Sequence, residues 1–331
     1  MENILEDQIN LKQTSSHAYS ISHHNDWTVG YTLHGGVIAS AIYLAAVTHL
    51  STTLAAQDQP DVYTLHLEFV RACEVSDSVI TVADLKVGAT TSTLQLQLSQ
   101  KNRVKVVALV TSTNFDKPVG PTAATGWSLR NPDPAPIPDF DKIQAHAPDE
   151  HWIPAHLTSE VVPFSRRILF LKPRDRPPVG VNDAWNSFIG DERIRNSYLP
   201  LMADSFPSMS DTLLRNGGLF DANKSFDRIK EWAEEHPGVP CELYNSRRDV
   251  LRATIFNNTI TLDIEFKRRL PQEGVQWTFT RVTTRLLDAG RMDVDIVICD
   301  PKMDILCLAR QAILVLEAKR KFGARKVKPA L

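Results

Sequence analysis

The chain has 331 residues, 43% of them apolar and 23% charged, and a formal net charge of -2. That composition supports a buried core in one large domain or two of ordinary size, and it excludes the broad basic surface of a nucleic-acid binder. The acidic start "MENILEDQINLKQ" is unlike a signal peptide, and no apolar run approaches the roughly 18 residues of a membrane span, so a cytoplasmic location is expected. The C-terminal "PAL" shares only its leucine with the peroxisomal tripeptide. Cys73, Cys241, Cys299 and Cys307 are scattered without a Cys-x-x-Cys pair and read as buried free thiols. His17, His23, His24 and His34 lie close together, but none has His-Glu-x-x-His spacing, so neither a metal site nor a cofactor is expected.

In chain order, the first element follows His34, Gly35 and Gly36 in "LHGGVIASAIYLAAVTHL". Val37, Ile38, Ala41, Ile42, Leu44, Ala45 and Val47 leave hardly any polar face, which predicts a helix buried nearly all round. Strand-like runs follow: "TLHLEFVR" at 64–71, then "SVITVADLKV", "TSTLQLQLS" and "VKVVALVTS". Leu94, Leu96 and Leu98 alternate with Gln95 and Gln97, the period of a half-buried strand. Residues 116–140 carry six prolines and no apolar periodicity, and they read as a linker across the outside of the protein. Beyond it, "YLPLMADSFPSM" leads into a segment, 207–258, that is longer than its first-half counterpart. "KSFDRIKEWAEEHPG" within it predicts an amphipathic helix with Phe226, Ile229 and Trp232 on one face, either over a ligand tunnel or on the surface. "TLDIEFKR" at 261–268 then repeats the first strand, with Thr, Leu, Glu, Phe and Arg at the same places. "VQWTFTRVTTRLL", "RMDVDIVICD" and "ILCLARQAILVLE" repeat the three strands after it. The expected organisation is a pseudo-dimer, 1–115 and 141–331, each half a helix followed by a four-stranded antiparallel meander.

With these residues in place, the sequence resembles the double-hotdog acyl-CoA thioesterases, the bacterial type II enzyme and its eukaryotic relatives. The resemblance covers most of the chain and is weakest in the linker and in 207–258. It implies an α+β fold, with two antiparallel sheets each wrapped around a central helix in an intramolecular pseudo-dimer. It also implies a homodimer, and an acyl-CoA or acyl-carrier thioester as substrate. "LHGGVIASAIYLAA" looks like the family's Gly-Gly helix opening, and "YLPLMADSFPSM" places the family's acid at Asp204. "NNTITLDIEF" offers Thr259, or Thr261 in the other register, and "LARQAILVLE" supplies Gln311. In the family these three side chains hold the water that attacks the thioester carbonyl.

The chemistry is sound in itself. A thioester is reactive enough for a positioned water, with Asp204 as base and the Gln311 amide and Thr259 hydroxyl holding that water. His34, Gly35 and Gly36 are the expected substrate-binding residues: the two glycine amides, at a helix start with unpaired donors, would polarise the carbonyl oxygen, with His34 as the helix-entry residue rather than a catalytic base. The structural alternatives are a polar helix-end residue for Asp204, a structural hydrogen bond for Gln311 and an ordinary strand threonine for Thr259. Pro200 departs from the family pattern, so the helix before Asp204 either begins there or is kinked. The first-half helix has Ala46 and Val47 where an acid would be needed, so one catalytic set per chain is expected. The tail "AKRKFGARKVK", 318–328, holds six Lys or Arg and would attract coenzyme A phosphates or merely be a solvated terminus.

A lipase-like hydrolase is excluded, because no Gly-x-Ser-x-Gly elbow occurs and "GWSLR" lacks its second glycine. Two alternatives stand below hydrolysis. One is a biosynthetic hotdog enzyme releasing or dehydrating a CoA- or carrier-bound polyketide-like intermediate. Dehydration would need an Asp/His pair such as Asp-x-x-x-x-His, and "ADSFPSMSD" has no histidine after Asp204. The other is a non-catalytic acyl-CoA-binding protein.

Overall fold

The repeated strands meet at the centre of the molecule. The computed structural model describes residues 3–215, 221–250 and 252–318. Its first half runs α1 (Ile4–Ile9), β1 (Lys12–Ser15), β2 (Ala18–Ile21), the short pair β3 (Thr28–Val29) and β4 (Thr32–Leu33), and α2 (Gly35–Thr52). It continues through β5 (Asp61–Phe69), β6 (Ser78–Lys86), β7 (Ser92–Gln100) and β8 (Arg103–Thr113). The second half opens with α3 (Phe140–Gln144), β9 (Trp152–Ser159), β10 (Ile168–Pro173), β11 (Val181–Phe188), α4 (Leu199–Met202) and α5 (Met209–Leu214). After these come α6 (Ala222–Glu235), β12 (Cys241–Asn245), α7 (Arg247–Val250), β13 (Ile255–Phe266), β14 (Thr278–Thr283), β15 (Leu287–Asp288), β16 (Arg291–Cys299) and β17 (Ile305–Glu317).

A continuous sheet passes through both halves in the order β1-β2-β6-β7-β8-β5-β13-β17-β16-β14-β11-β10-β9-β12. The two copies of the repeat pair antiparallel at the seam, Leu65 with Ile264, His66 with Asp263 and Leu67 with Leu262. Leu65 and Leu262 hold the same place in the repeat, as do Leu67 and Ile264. The pairing is therefore its own image under a pseudo-twofold axis between His66 and Asp263, whose Nδ1 and Oδ1 lie 2.5 Å apart. The fold is the expected α+β double hotdog.

Three details differ from the sequence reading. The four strands after each helix are not simple meanders, because β5 pairs with β8 and β13 pairs with β17, the last strand of each set. That order puts the repeated strand at the seam, where it meets its counterpart. Strands β1, β2 and β9 to β11 precede the helices and extend each sheet outward. The two central helices are also unequal: α2 has 18 residues and α4 only four.

Helix α2 is enclosed as expected, with Val37, Ala39, Ala41, Ile42, Ala45 and Ala46 fully buried. Its alanines and glycines let the sheet and α4 approach its backbone. By length and composition it could cross a membrane, which corrects the expectation that no run was long enough, but most of it is packed inside the protein. All four cysteines are buried and unpaired.

Residues 114–139 form no helix or strand, and their later part lies over the outer face of the second-half strands. Leu129, Ala135 and Phe140 cover a cluster built from Trp152, Trp185, Trp277 and Phe279. The crossing is pinned by a buried bidentate pair, Arg281 to Asp183 at 2.7 and 2.6 Å, whose guanidinium also donates to the Pro132 carbonyl at 2.6 Å. In the inserted segment, α6 buries Ile229 and Ala233 against β9 and β12, with Trp232 half-covered and Phe226 beneath the Arg176 guanidinium. Strand β12 extends the sheet at its far edge, parallel to β9. The inserted helix packs on that edge rather than over Asp204.

Candidate active site

The site forms where the start of α2 meets the end of α4. His34 caps α2 from an extended backbone conformation, its Nδ1 accepting the Gly36 N–H at 3.1 Å. In α4, Pro200 occupies the first turn, where a missing N–H leaves no bond unmade. Of the two outcomes open for Pro200, the helix start is the one observed. The helix ends two residues later, at Met202, and Asp204 lies just beyond its cap, Ala203.

The two helix ends touch backbone to backbone. A Cβ on Gly36 would lie 2.9 Å from Leu201 Cα and 2.9 Å from Asp204 Cβ, and one on Gly35 would lie 2.8 Å from Asp204 Oδ2. At Gly36 two of the obstacles are backbone atoms of Leu201, so a side chain has no room there, whereas at Gly35 the obstacle is the tip of the Asp204 side chain. Asp204, 13% exposed in its side chain, is held at both oxygens. Its Oδ2 accepts the Gly36 N–H at 2.7 Å, and its Oδ1 accepts from Gln311 Nε2 at 2.8 Å. Gln311 points inward from β17, is 1% exposed, and also donates to the Ala203 carbonyl at 3.2 Å. Its Oε1 is buried and accepts no hydrogen bond among the described residues.

The two glycine amides are therefore not equivalent. Gly36 N–H is engaged by Asp204 and His34, which corrects the expectation that both amides face a carbonyl oxygen. Gly35 N–H has no acceptor among the described residues. His34 Nδ1 also lies 3.4 Å from Asp204 Oδ2. Burial pushes the His34 imidazole below its ordinary pKa, against the opposing pull of the Asp204 carboxylate, so the ring is neutral at neutral pH. Because Nδ1 accepts the capping N–H, the ring proton sits on Nε2.

Thr259 lies beside a bulge in β13 and pairs with Ile313, two residues from Gln311 and on the same face of β17. Thr261 pairs with Ala312 and Glu68, both exposed, so its side chain belongs to the outer face. No hydrogen bond joins Thr259 to Asp204 or Gln311 among the described residues. Two residues before it, Asn257 bonds Ser208 and Ser210, fastening the segment after Asp204 to β13.

The structure thus gathers Asp204, Gln311, Gly35, Gly36 and His34, with Thr259 on the adjoining strand. Sequence reasoning did not identify the aromatic wall. Phe164 meets the His34 ring edge-on at 5.0 Å and stacks on Trp27, and Phe69 faces Gly35. Such residues carry no chemical signature and read simply as core. Nor did it foresee a histidine beside Asp204, because the one the fold supplies comes from the first half. Residues 319–328 of the basic tail lie outside the described residues.

Residues 23–113 match the acyl-CoA thioesterase N-terminal domain, and residues 137–315 match the acyl-CoA thioesterase C-terminal domain. The chain belongs to the acyl-CoA thioesterase family of double-hotdog proteins. It is 25% identical to the thioesterase-like protein TwmA of Talaromyces wortmannii, across 95% of this chain and 92% of that protein. Its fold is similar to a hot dog fold protein from Alicyclobacillus acidocaldarius (TM-score 0.64, 13% identity, 96% and 99% of the two chains). It is also similar to an acyl-CoA thioesterase II from Mycobacterium marinum (TM-score 0.61, 14% identity, 96% and 99%).

Proposed function

We propose that the protein is a cytosolic hydrolase of acyl thioesters carried by coenzyme A or by an acyl carrier, using a water activated at Asp204. The observation that carries this reading is the double anchoring of the Asp204 carboxylate, by Gly36 N–H from one half and Gln311 Nε2 from the other. A carboxylate fixed in this way is a preorganised base. The water would donate one proton toward Asp204 and the other to Gln311 Oε1, with the Thr259 hydroxyl on the same face. Its oxygen attacks the thioester carbon while Asp204 takes the proton. The oxyanion that develops accepts from Gly35 N–H, since the neighbouring amide is occupied. Collapse of the tetrahedral intermediate expels the thiolate, which recovers the proton from Asp204.

One observation favours a second reading, the elimination of water from a 3-hydroxyacyl thioester. His34 Nδ1 and Asp204 Oδ2 stand 3.4 Å apart around the Gly36 N–H that both accept, so a histidine and an acid are brought side by side from two halves rather than from one motif. The argument against dehydration from "ADSFPSMSD" alone therefore loses its force.

The test is thiol release from CoA esters of increasing chain length, with wild type, Asp204→Ala and His34→Gln. Hydrolysis predicts release that falls about 10²- to 10⁴-fold in Asp204→Ala and persists in His34→Gln. Conversion of a 3-hydroxyacyl thioester to an unsaturated one, with the thioester intact and no thiol released from any ester, would replace hydrolysis by elimination.

A further inference from the structure

A second group of reactive side chains sits at the opposite end of α2, and the proposed hydrolysis makes no use of it. His49, in the last turn of that helix, is fully buried. Its Nε2 lies 2.9 Å from Asp84 Oδ1 and its Nδ1 lies 3.1 Å from the Tyr19 hydroxyl. His17, in the turn between β1 and β2, places its Nε2 3.1 Å from the other oxygen of Asp84 and its Nδ1 2.9 Å from Ser16 Oγ. The two imidazole rings are 5.0 Å apart at 65°. One carboxylate thus receives two imidazoles, one per oxygen, and each imidazole has a hydroxyl at its outer nitrogen.

We propose that His17, His49 and Asp84 form a site for a divalent transition-metal ion of the zinc type. The three ligand atoms converge within 4.8 Å of one another. Two imidazole nitrogens and a carboxylate oxygen suit Zn²⁺ or Co²⁺ and not the all-oxygen preference of Ca²⁺ or Mg²⁺. The hydroxyls of Ser16 and Tyr19 supply the outer hydrogen bonds that orient ligating histidines. When the ion binds, each ring moves its proton from Nε2 to Nδ1, where a hydroxyl oxygen accepts it, so neither ring gains or loses a proton. The ion is reachable, since the side chains of His17 and Asp84 are 45% and 20% exposed while His49 closes the inner side at 0%. A water from that open side completes a fourth position.

The placement gives the site a job apart from thioester chemistry. Its ligands come from the β1–β2 turn, from α2 and from β6, so the ion would tie the edge hairpin to the central helix. Along α2, His49 lies fourteen residues from Gly35, about 21 Å at ~1.5 Å per residue. It is therefore remote from Asp204.

The test uses the full chain, freed of metal by chelator and dialysis, then titrated with ZnCl₂ by calorimetry and with CoCl₂ by visible absorption. One ion per chain, ligand-field bands from Co²⁺ and a Tm raised by Zn²⁺ are expected. His17→Ala, at a half-exposed turn position, and Asp84→Asn should each weaken binding by more than about tenfold. His24→Ala, outside the cluster, should bind as wild type does, and thiol release should be unchanged in all three variants. Less than one ion per chain, or equal affinity in wild type, His17→Ala and Asp84→Asn, would overturn the proposal and leave the cluster a hydrogen-bonded network only.

Discussion

Two adjacent glycines should fail in different ways when each receives one methyl group. In Gly36→Ala the new Cβ would lie 2.9 Å from both Leu201 Cα and Asp204 Cβ, and 3.0 Å from the Leu201 carbonyl oxygen. Carbon atoms rest at about 3.5–4.0 Å, so the shortfall is roughly 0.6–1.1 Å, and two of the three obstacles are backbone. The start of α2 and the end of α4 must part by that much. Such overpacking costs about 1–3 kcal/mol, and moving a catalytic group by about 1 Å costs about a hundredfold in rate. In Gly35→Ala the tight neighbour is Asp204 Oδ2 at 2.8 Å, the tip of a side chain, with Phe69 Cζ at an ordinary 3.5 Å. Asp204 can rotate away, breaking its bond to Gly36 N–H without moving a helix. Since alanine is the better helix former by up to about 1 kcal/mol, stability should hardly change. Activity should still fall about a hundredfold, because the carboxylate is no longer placed. The assays are kcat/KM for thiol release, and urea midpoints with their slopes for stability. Wild-type kcat/KM in Gly36→Ala, or an equal loss of stability in both variants, would refute the role assigned to this close approach.

Acid should begin to weaken the fold near pH 6.5, where the histidines of the unfolded chain take up protons. Burial lowers the His23 pKa to about 4 and also lowers that of His34. The unfolded chain then takes up protons near pH 6.5 that the folded chain refuses. Stability is therefore full above about pH 6.5 and declines as pH falls toward 4, by about 3 kcal/mol for His23 alone. Urea unfolding at pH 7.5, 6 and 5 should show that decline, flattened in His23→Gln, whereas equal midpoints at all three would contradict it. At the linker, Arg281→Met leaves Asp183 buried without its partner and should cost about 3–5 kcal/mol. The double variant with Asp183→Leu should recover most of that loss in the same measurement, and a double variant no better than Arg281→Met would argue against the ion pair as the cause.

What could be read from the chain follows from what periodicity encodes. Alternation fixes the face of a strand: Leu94, Leu96 and Leu98 are fully buried, while Gln95 and Gln97 between them are half-exposed. It does not fix the neighbour, and so β5 could not be assigned to β8 and β13 rather than to β6. The repeat "TLHLEFVR" and "TLDIEFKR" showed that two similar units exist, but only pairing in space makes those strands the seam. The positions of Asp204 and Gln311 came from the family resemblance, and the fold places them within hydrogen-bond distance. His34 beside Asp204 was beyond reach, since contacts between distant segments leave no mark on local spacing. Asp84 is a different case, because its signal was present in the sequence. It falls in step with Ser78, Ile80 and Val82, the inward positions of β6, all three buried. A carboxylate on that face is largely withdrawn from water and needs donors from the protein. His49, a fully buried ring with two polar nitrogens, needed partners for the same reason. Each residue is unremarkable alone, and the unmet polar needs of the two, on facing elements, are what point to one another and to the site they form with His17.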